Sequence, residues 1–270
     1  MPALIAERLS PVLAAEAPPL EPLLRIEGVH KRFAANGREV EALRAVDLDV
    51  APGEFVCIIG ASGCGKSTLL RLVGGFDRPS DGRILMRGLP VTGPGPDRGM
   101  VFQDYGLFPW LTVRRNVEFG PTARGVPRAE VAAIGERFIE MIGLTRFANA
   151  YPHELSGGMK QRVAIARVLA NEAAVVLMDE PFGALDAMTR ERLQIELLSI
   201  WEASELRVLF ITHAIEEAIL LADRIVVMSP HPGRIAAIHR VDLPRPRDVS
   251  SPAFNALRRD LGAMLHAKDD

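Results

Sequence analysis

A glycine-rich stretch in the first third of the chain has residue types and a spacing that suit phosphate binding. Eight successive residues match the pattern G-x-x-x-x-G-K-[ST], and Thr68 follows them; the eight are Gly60, Ala61, Ser62, Gly63, Cys64, Gly65, Lys66 and Ser67. Glycines let successive backbone N–H groups point at phosphate oxygens, and a following helix adds its positive end. We expect Lys66 to contact β and γ phosphates and Ser67 to bind Mg²⁺. An incidental glycine-rich turn is the alternative, which the flanking strand and helix patterns disfavour.

A pair of acids follows an apolar run farther along the chain. Asp179 and Glu180 come directly after residues 173–178. Adjacent carboxylates at the end of a strand suit one acid that holds Mg²⁺ through its waters, here Asp179, and one that orients an attacking water, here Glu180. On its own, this pattern fits a solvated turn equally well.

His213 is the third candidate, because it follows an apolar run that ends at Ile211. A lone histidine at such a place is more often structural. In an open parallel sheet, however, ligands bind outside the carboxyl ends of the strands. Strands that end at Ile59, Met178 and Ile211 would bring the glycine-rich loop, the acid pair and His213 to one pocket. We therefore interpret His213 as a γ-phosphate contact.

A second helix start also has an unusual composition. Residues 155–159 read LSGGM, and Ser156 is a natural N-cap for the helix that follows. Gly157 and Gly158 are unfavourable in a first helical turn, so they need a reason, and close approach of an anion to bare N–H groups supplies one. The chain then has two anion sites but one lysine-bearing loop, which favours two copies that pair head to tail and complete each other's sites.

The elements that must position these groups follow from apolar periodicity. The predicted strands are 24–33, 39–50, 54–59, 100–103, 173–178, 207–211 and 224–229. The predicted helices begin near Lys66 and cover 112–123, 128–142, 159–170, 187–203, 214–222 and 253–266. The start suits an antiparallel pair, the middle is mainly helical, and the alternation after Ser156 is typical of α/β layers with parallel strands.

Length and composition exclude several classes of protein. The chain has 270 residues, of which 48% are hydrophobic and 24% are charged, as in ordinary globular proteins. The longest stretch without a charged side chain is the eleven residues 55–65, too short to cross a bilayer. A formal net charge of -2 provides no overall positive field for nucleic acid. Residues 1–21 lack a basic leader, so we expect no secretory signal and a cytosolic chain.

Taken together, the motifs resemble those of the ATP-binding cassette (ABC) transporter ATPases over roughly residues 23–233. The features that carry the resemblance, in chain order, are Phe33, the loop at 60–68, Gln103, LSGGMKQR at 155–162, Asp179 with Glu180, ALD at 184–186, and His213. Three further stretches are similar to the nitrate, sulfonate and taurine importer branch: PWLTV at 109–113, PFGALD at 181–186 and HPGRI at 231–235.

The resemblance implies a fold and a set of partners. It implies an α/β P-loop NTPase core, RecA-like, with an antiparallel β subdomain and an inserted helical subdomain at about 105–165. We expect an ATPase domain over 23–240, a disordered tail at 1–22 and an extension at 241–270. The implied function is ATP hydrolysis with Mg²⁺ by a homodimer at the cytoplasmic face of the inner membrane. It would drive small-anion uptake through separate permease subunits, with an extracytoplasmic binding protein and no nucleic acid.

The resemblance also assigns roles to individual residues. Phe33 resembles the aromatic that stacks on adenine, with an ordinary strand-end residue as the alternative. Gln103 resembles the glutamine that reaches Mg²⁺ and the lytic water. Ser156, Gly157 and Gly158 resemble the signature that closes over ATP held by the opposite subunit, and Asp186 resembles the acid that crosses the dimer interface. Ala214 departs from the family, which usually has Asp there, and this removes a carboxylate near the γ-phosphate end of the site.

Three features have more than one interpretation. Residues 105–111 are rich in aromatics, which fits either core packing or, as we favour, a groove for a partner's helix. Cys64 lies near a helix N-terminus that would lower its pKa, yet we expect no redox role. The arginines near the C-terminus would face either anionic lipid or, as we favour, solvent; they are Arg245, Arg247, Arg258 and Arg259.

Two other functions compete with the transporter interpretation. A soluble ABC ATPase of translation or DNA repair usually carries two cassettes or a long coiled coil, whereas this sequence has one P-loop and no sustained heptads. A nucleotide-binding regulator without turnover would be favoured if Glu180 or His213 were missing, and both are present.

Overall fold

The computed structural model describes residues 22–35, 38–102, 104–183, 185–202 and 206–266. The strands in chain order are β1 (Leu24–Ala35), β2 (Arg38–Val50), β3 (Phe55–Gly60), β4 (Asp81–Met86), β5 (Leu89–Pro90), β6 (Arg98–Val101), β7 (Val175–Asp179), β8 (Arg207–Ile211), β9 (Arg224–Ser229) and β10 (Arg234–Arg240). The helices are α1 (Lys66–Val73), α2 (Val113–Ala123), α3 (Arg128–Met141), α4 (Gly157–Ala170), α5 (Ala187–Glu202), α6 (Ile215–Leu221) and α7 (Pro252–His266).

The first sheet is antiparallel and has the strand order β2-β1-β4-β5. Its central strand β1 pairs with β2 on one side and β4 on the other, so Leu24 lies opposite both Val50 and Met86. Leu24 and Ile26 are buried, since alternate residues of a strand point to the same face. The antiparallel start predicted from the sequence is confirmed.

The second sheet has the order β10-β9-β3-β8-β7-β6 and is parallel except for β10. Strand β3 pairs in parallel with β8 and β9, and β7 pairs in parallel with β8 and β6. All residues of β3 are buried, which explains its continuous apolar run. The carboxyl ends of β3, β7 and β8 consequently lie at one edge, as the sequence predicted.

Two hydrophobic clusters pack on opposite faces of β3. Phe55, Cys57 and Ile59 belong to a cluster with residues of α2, α3, α4 and α6. The intervening Val56 and Ile58 belong to a cluster with residues of β1, β2 and α1. Because side chains alternate along a strand, β3 anchors both clusters. The strand that leads into the glycine-rich loop is therefore fixed from both sides.

The sequence missed β4, β5 and β10, and each has a weak apolar signal. In β4 the first three residues are exposed and only Ile84 and Met86 are buried. Strand β5 has two residues, both exposed. Strand β10 contains no fully buried residue because it forms an edge of its sheet. These strands form because their backbones pair with neighbouring strands. The periodicity of apolar residues in the sequence does not report such pairing.

The C-terminal segment corrects one interpretation from the sequence. Arg247 is only 9% exposed and donates to backbone carbonyls of α6, and Arg245 forms an ion pair with Asp223 at 2.7 Å. The expectation that these two arginines face solvent or lipid is therefore wrong. Arg258 and Arg259 are exposed, as expected, and Arg258 pairs with Glu216 at 2.6 Å.

Among the described residues, we find no helix with the length and apolarity that crossing a bilayer requires.

Helix α6 begins without a capping side chain. Its N-cap position is Ala214, which has extended backbone angles of φ -92° and ψ 111° and no side-chain acceptor. The Ala214 N–H instead donates to the Thr212 hydroxyl at 3.0 Å. Asp, Asn or Ser at this position would accept from a free N–H of the first turn, which Ala leaves to solvent.

We predict that Ala214→Asp stabilises the fold by about 1 kcal/mol, because Asp supplies the missing N-cap acceptor. In a domain of this size, that gain raises Tm by about 2–4 °C. Thermal unfolding followed by circular dichroism measures the change. Ala214→Asn is the matched variant, since it caps without adding charge beside Glu216 and Glu217. An unchanged Tm in both variants would show that a side chain at position 214 does not stabilise α6 as an N-cap.

Candidate active site

The glycine-rich loop connects the end of β3 to the start of α1. Gly63 and Gly65 have φ angles of 77° and 92°, in the left-handed region that glycine adopts at little cost. Gly65 is the N-cap of α1, and the first helical hydrogen bond runs from the Leu69 N–H to its carbonyl at 2.9 Å. The free N–H groups of the first turn therefore point toward the loop, as anion binding requires.

Lys66 is held by the loop from which it projects. Its Nζ donates to the carbonyls of Gly60 at 2.8 Å and Ala61 at 3.1 Å, and the residue is only 7% exposed. A buried ammonium needs such partners because its desolvation is costly. The same contacts keep the ammonium inside the loop, where we predicted from the sequence that a phosphate binds.

Ser67 and Asp179 come from different elements and meet at the edge of the parallel sheet. The Ser67 hydroxyl at the start of α1 donates to Oδ1 of Asp179 at the end of β7, over 3.1 Å. Burial raises the pKa of the Asp179 carboxyl above its ordinary value, and the hydrogen bond from Ser67 opposes that shift. The two oxygens predicted to serve a metal ion are thus adjacent.

Glu180 and His213 form a second pair at this edge. His213 Nδ1 lies 3.1 Å from Glu180 Oε2. Glu180 has a φ of 45°, a costly conformation for a residue with a side chain. Its N–H donates to the carbonyl of Ile211 at 3.0 Å, and its carbonyl accepts from the N–H of Gly183 at 3.1 Å. These bonds hold the turn that aims the Glu180 carboxylate at His213.

A cavity of about 400 Å³ joins these groups. The described residues that line it are Ala42, Ser62, Gly63, Gly65, Lys66, Ser67, Thr68, Glu180 and His213. The glycine-rich loop, Glu180 and His213 thus line one cavity, and Asp179 adjoins it through its hydrogen bond from Ser67, so the three strand ends converge as predicted. Ala42 was missed, because a small residue inside a strand gives no chemical signal. Gly60 and Cys64 lie behind the lining.

Cys64 has a different environment from the one its sequence position suggested. It is 0% exposed, and burial raises the pKa of its thiol above the ordinary value, with the Lys66 charge opposing the shift. The prediction that the helix N-terminus lowers the pKa of Cys64 is therefore wrong. A buried thiol held in its neutral form has low nucleophilicity, in keeping with the expectation of no redox role.

The second helix start lies outside this cavity in the described part of the chain. Ser156 is exposed and caps α4, accepting from the Met159 N–H at 3.3 Å. At Gly158 a Cβ would approach Thr189 Cγ2 to 2.7 Å, so close packing against α5 explains this glycine without an anion. Asp186 is exposed and caps α5, accepting from the Thr189 N–H at 3.0 Å. Ser156, Gly157, Gly158 and Asp186 remain predictions as nucleotide contacts.

Two other predicted contacts are not tested by the cavity. Phe33 lies in β1, is 39% exposed, and carries the Lys31 ammonium 4.8 Å from its ring centroid. It is absent from the described lining of the cavity, so its stacking role stays a prediction. Gln103 falls outside the residues that the structure describes.

The glycine-rich loop is backed by another turn, at 231–233. Gly233 donates its N–H to the Ala42 carbonyl at 3.0 Å, and its own carbonyl accepts from the Arg44 N–H at 2.9 Å. A Cβ on Gly233 would lie 2.1 Å from the Cys64 carbonyl oxygen and 2.9 Å from that of Ala42. Glycine is therefore required for this turn to press on the loop. The sequence singled out residues 231–235 only by resemblance and gave no hint of this contact.

Three aromatic side chains lie together beside the helical layer, and we call this group the aromatic surface. Its residues are Phe108, Trp110 and Phe119. The Phe108 ring lies 5.7 Å from Trp110 and 4.5 Å from Phe119 between centroids, while Trp110 and Phe119 are 71% and 46% exposed. Asn116 is fully buried beneath it, accepts from the Phe108 N–H at 2.9 Å and donates to the Leu111 carbonyl at 3.0 Å. The surface is thus held rigid by a buried amide.

Comparison with known proteins identifies relatives across most of the chain. Residues 43–183 match the family model described as ABC transporter. An uncharacterised ABC transporter ATP-binding protein of Methanocaldococcus jannaschii is 51% identical over 90% of this chain and 91% of its own length. The nitrate import ATP-binding protein NrtD of Synechocystis is 48% identical over 88% of this chain and 89% of its own length.

A solved structure resembles the described fold. It is a dimeric, post-hydrolysis state of an ATP-binding cassette bound to ADP and Pi, with a TM-score of 0.70 and 33% identity. The match covers 81% of this chain and 98% of that one. The fold predicted from the sequence, a P-loop NTPase core with an antiparallel sheet and a helical layer, is confirmed.

We predict that Gly233→Ala weakens ATP binding at least tenfold, because the added Cβ displaces the Cys64 carbonyl and with it the loop. A tenfold loss corresponds to about 1.4 kcal/mol. Titration with a fluorescent ATP analogue measures the Kd. Gly93→Ala is the control, since a Cβ there meets nothing within 4 Å. Equal Kd values in the two variants and the wild type would show that Gly233 does not position the loop.

Proposed function

Because the chain belongs to the ABC transporter family, we propose that it is the ATP-hydrolysing subunit of an importer for a small anion. The observation that carries the proposal is that Lys66, Glu180 and His213 line one cavity. Lys66 supplies a cation, Glu180 a general base and His213 a polar contact. Phosphoryl transfer to water needs these groups, because its catalysis rests on positioning and on charge stabilisation.

The reaction we propose is attack of water on the γ-phosphorus of ATP. The Glu180 carboxylate orients that water and accepts its proton, while the γ-phosphoryl group leaves the β-phosphate oxygen. Lys66 offsets charge on the β and γ phosphates with the loop N–H groups. His213, within 3.1 Å of Glu180, holds the γ-phosphate end of the nucleotide. The products are ADP and inorganic phosphate.

The residues at the edge of the sheet fit Mg²⁺. The Ser67 hydroxyl and an Asp179 carboxylate oxygen lie 3.1 Å apart, and hard oxygen donors of this kind suit Mg²⁺, which retains waters and binds few protein ligands. Ser67 would hold the ion directly, and Asp179 through its waters. When bound, the ion supplies positive charge beside the β and γ phosphates. We propose Gln103 as a further contact on family resemblance alone.

We propose that two copies pair head to tail around the nucleotide. Ser156 at the start of α4 and Asp186 before α5 are both exposed, so a second molecule has access to them. The resembling cassette of known structure, bound to ADP and Pi, is itself dimeric, which supports this arrangement. Phe33, exposed on one face beside Lys31, would stack on the adenine.

The aromatic surface is our proposed docking site for a permease subunit. Trp110 is 71% exposed on a loop that the buried Asn116 holds in place, and an exposed aromatic patch of this kind marks a partner surface. Docking would place the chain at the cytoplasmic face of the inner membrane. An extracytoplasmic binding protein would then deliver the anion, of the nitrate, sulfonate or taurine type; the nitrate-import relative supports that class.

The domain division also remains a proposal. We propose an ATPase domain over 23–240 with a helical subdomain at about 105–165, followed by an extension at 241–270. Helices α2, α3 and α4 pack on one another in the middle of the chain, which supports the helical subdomain. The tail at 1–22 lies outside the described residues except for residue 22.

We predict that Glu180→Gln lowers ATP turnover by about 10²–10⁴-fold, because the amide no longer accepts a proton from water. ATP-dependent dimerisation should persist, since the phosphate contacts are intact. Phosphate release and gel filtration with ATP measure the two effects. Glu191→Gln, on an exposed part of α5, is the matched control and should match the wild type. Undiminished phosphate release would show that Glu180 does not orient the attacking water or accept its proton.

We predict that Trp110→Ala detaches the chain from its membrane partner and leaves the Kd for ATP within about twofold of the wild type, because Trp110 lies outside the nucleotide cavity. The fraction that sediments with membranes and the Kd are both measured. Leu89→Ala is the control, since Leu89 is also 71% exposed. A large loss of ATP binding instead would make Trp110 a structural residue.

A further inference from the structure

Two arginines after β10 bind the C-terminal end of α6. The Arg247 guanidinium donates to the carbonyls of Ile219 and Ala222, each at 2.6 Å, and to Leu220 at 3.3 Å. Arg245 donates to the Leu221 carbonyl at 2.6 Å. The final carbonyls of a helix lack partners within the helix, and here two guanidiniums serve four successive ones.

This contact is unusual because it buries a charge. Arg247 is 9% exposed, and burial, together with the neighbouring Arg245 charge, lowers its pKa to about 10. At neutral pH the guanidinium therefore remains protonated and keeps all its donors. Further bonds to the carbonyls of Leu243 at 3.0 Å and Val241 at 3.3 Å satisfy it from its own segment. A positive charge at a helix C-terminus is also favourable toward the helix dipole.

The same segment fixes α6 to the strand that leads into the glycine-rich loop. Arg245 pairs with Asp223 at 2.7 Å, and the other oxygen of Asp223 accepts from the Phe55 N–H at the start of β3, at 2.9 Å. The Arg245 guanidinium also lies 4.5 Å from the ring centroid of Trp201 in α5. The end of α6 is thus tied to β3 and α5 together.

The other end of α6 leads directly to the reacting groups. His213 lies two residues before the helix, and Ala214 at the N-cap supplies no side-chain acceptor. Midway along α6, the buried Glu217 accepts from the Gln194 side-chain amide at 2.8 Å. His213 lies between the end of β8 and the start of α6, so its position depends on the strand on one side and on the helix on the other. Contacts at the middle and C-terminal end of α6 fix the helix side.

We propose that Arg245 and Arg247 are positioning residues for ATP hydrolysis, which act through α6 to hold His213 against Glu180. This inference rests on the proposed function of that site. It assigns the segment that follows β10 a role in turnover, although neither arginine lines the cavity among the described residues. Their loss should lower kcat and leave nucleotide binding intact, because Lys66 and the glycine-rich loop are held by other contacts.

The test compares Arg247→Met, Arg247→Lys and Arg245→Gln with the wild-type full-length chain at a temperature where circular dichroism shows all of them folded. We expect Arg247→Met to lower kcat about 10- to 100-fold, as misplacement of a reacting group does, with the Kd for ATP within about twofold. Arg247→Lys should have a kcat between those of Arg247→Met and the wild type, because lysine keeps the positive charge but its ammonium reaches fewer carbonyls. Arg240→Met is the control, because the Arg240 side chain is 86% exposed.

A spectroscopic readout separates positioning from stability. In protein labelled with ¹³C-histidine, the His213 ring signal, assigned by its loss in His213→Gln, should shift in Arg247→Lys and stay fixed in Arg240→Met. A lower Tm with unchanged kcat and an unmoved His213 signal would overturn the proposal. If Arg247→Met fails to fold, kcat and the His213 signal of Arg245→Gln decide. A wild-type chain without ATP turnover would instead contradict the proposed function.

Discussion

The parallel pairing of β3 with β8, and of β8 with β7, is the constraint on which the rest of the site depends. Parallel strands end at the same edge of a sheet, so the groups that follow them in the chain become neighbours in space. That pairing brings Ser67 to Asp179 and Glu180 to His213, although 112 and 33 residues separate the partners in the sequence. Burial of β3 on both faces keeps this edge rigid.

A second layer of contacts surrounds the glycine-rich loop and the helix that follows His213. Gly233 approaches the Cys64 carbonyl so closely that no side chain fits between them, which ties the antiparallel sheet to the glycine-rich loop. On the opposite side, Arg245 and Arg247 bind the end of α6. None of these residues carries chemistry toward a phosphate. In our proposals they position the residues that act on the phosphates. The strained φ of Glu180 persists because its surroundings hold it.

The chain divides its chemistry between a cavity and exposed surfaces. Lys66, Glu180 and His213 line one cavity, whereas Ser156 and Asp186 are exposed helix caps outside its described lining. In our proposal a second copy unites these two sets around ATP, so that closure of the dimer and completion of the site are one event. The aromatic surface is separate from both, so the permease subunit that we propose to dock there would not touch the nucleotide.

The sequence alone predicted the groups to which we assign chemistry and the strands that bring them together. The pattern at 60–68, the acids after β7 and His213 after β8 are local signals, because each depends on residue type and a few neighbours. Strands with strong apolar runs, such as β3, were predicted for the same reason. Only the tertiary structure decided the roles of Ala42, Gly233, Arg245 and Arg247, and the burial that raises the pKa of Cys64. Those features arise where segments distant in the chain come within a few ångströms, and no local pattern encodes which surfaces will meet.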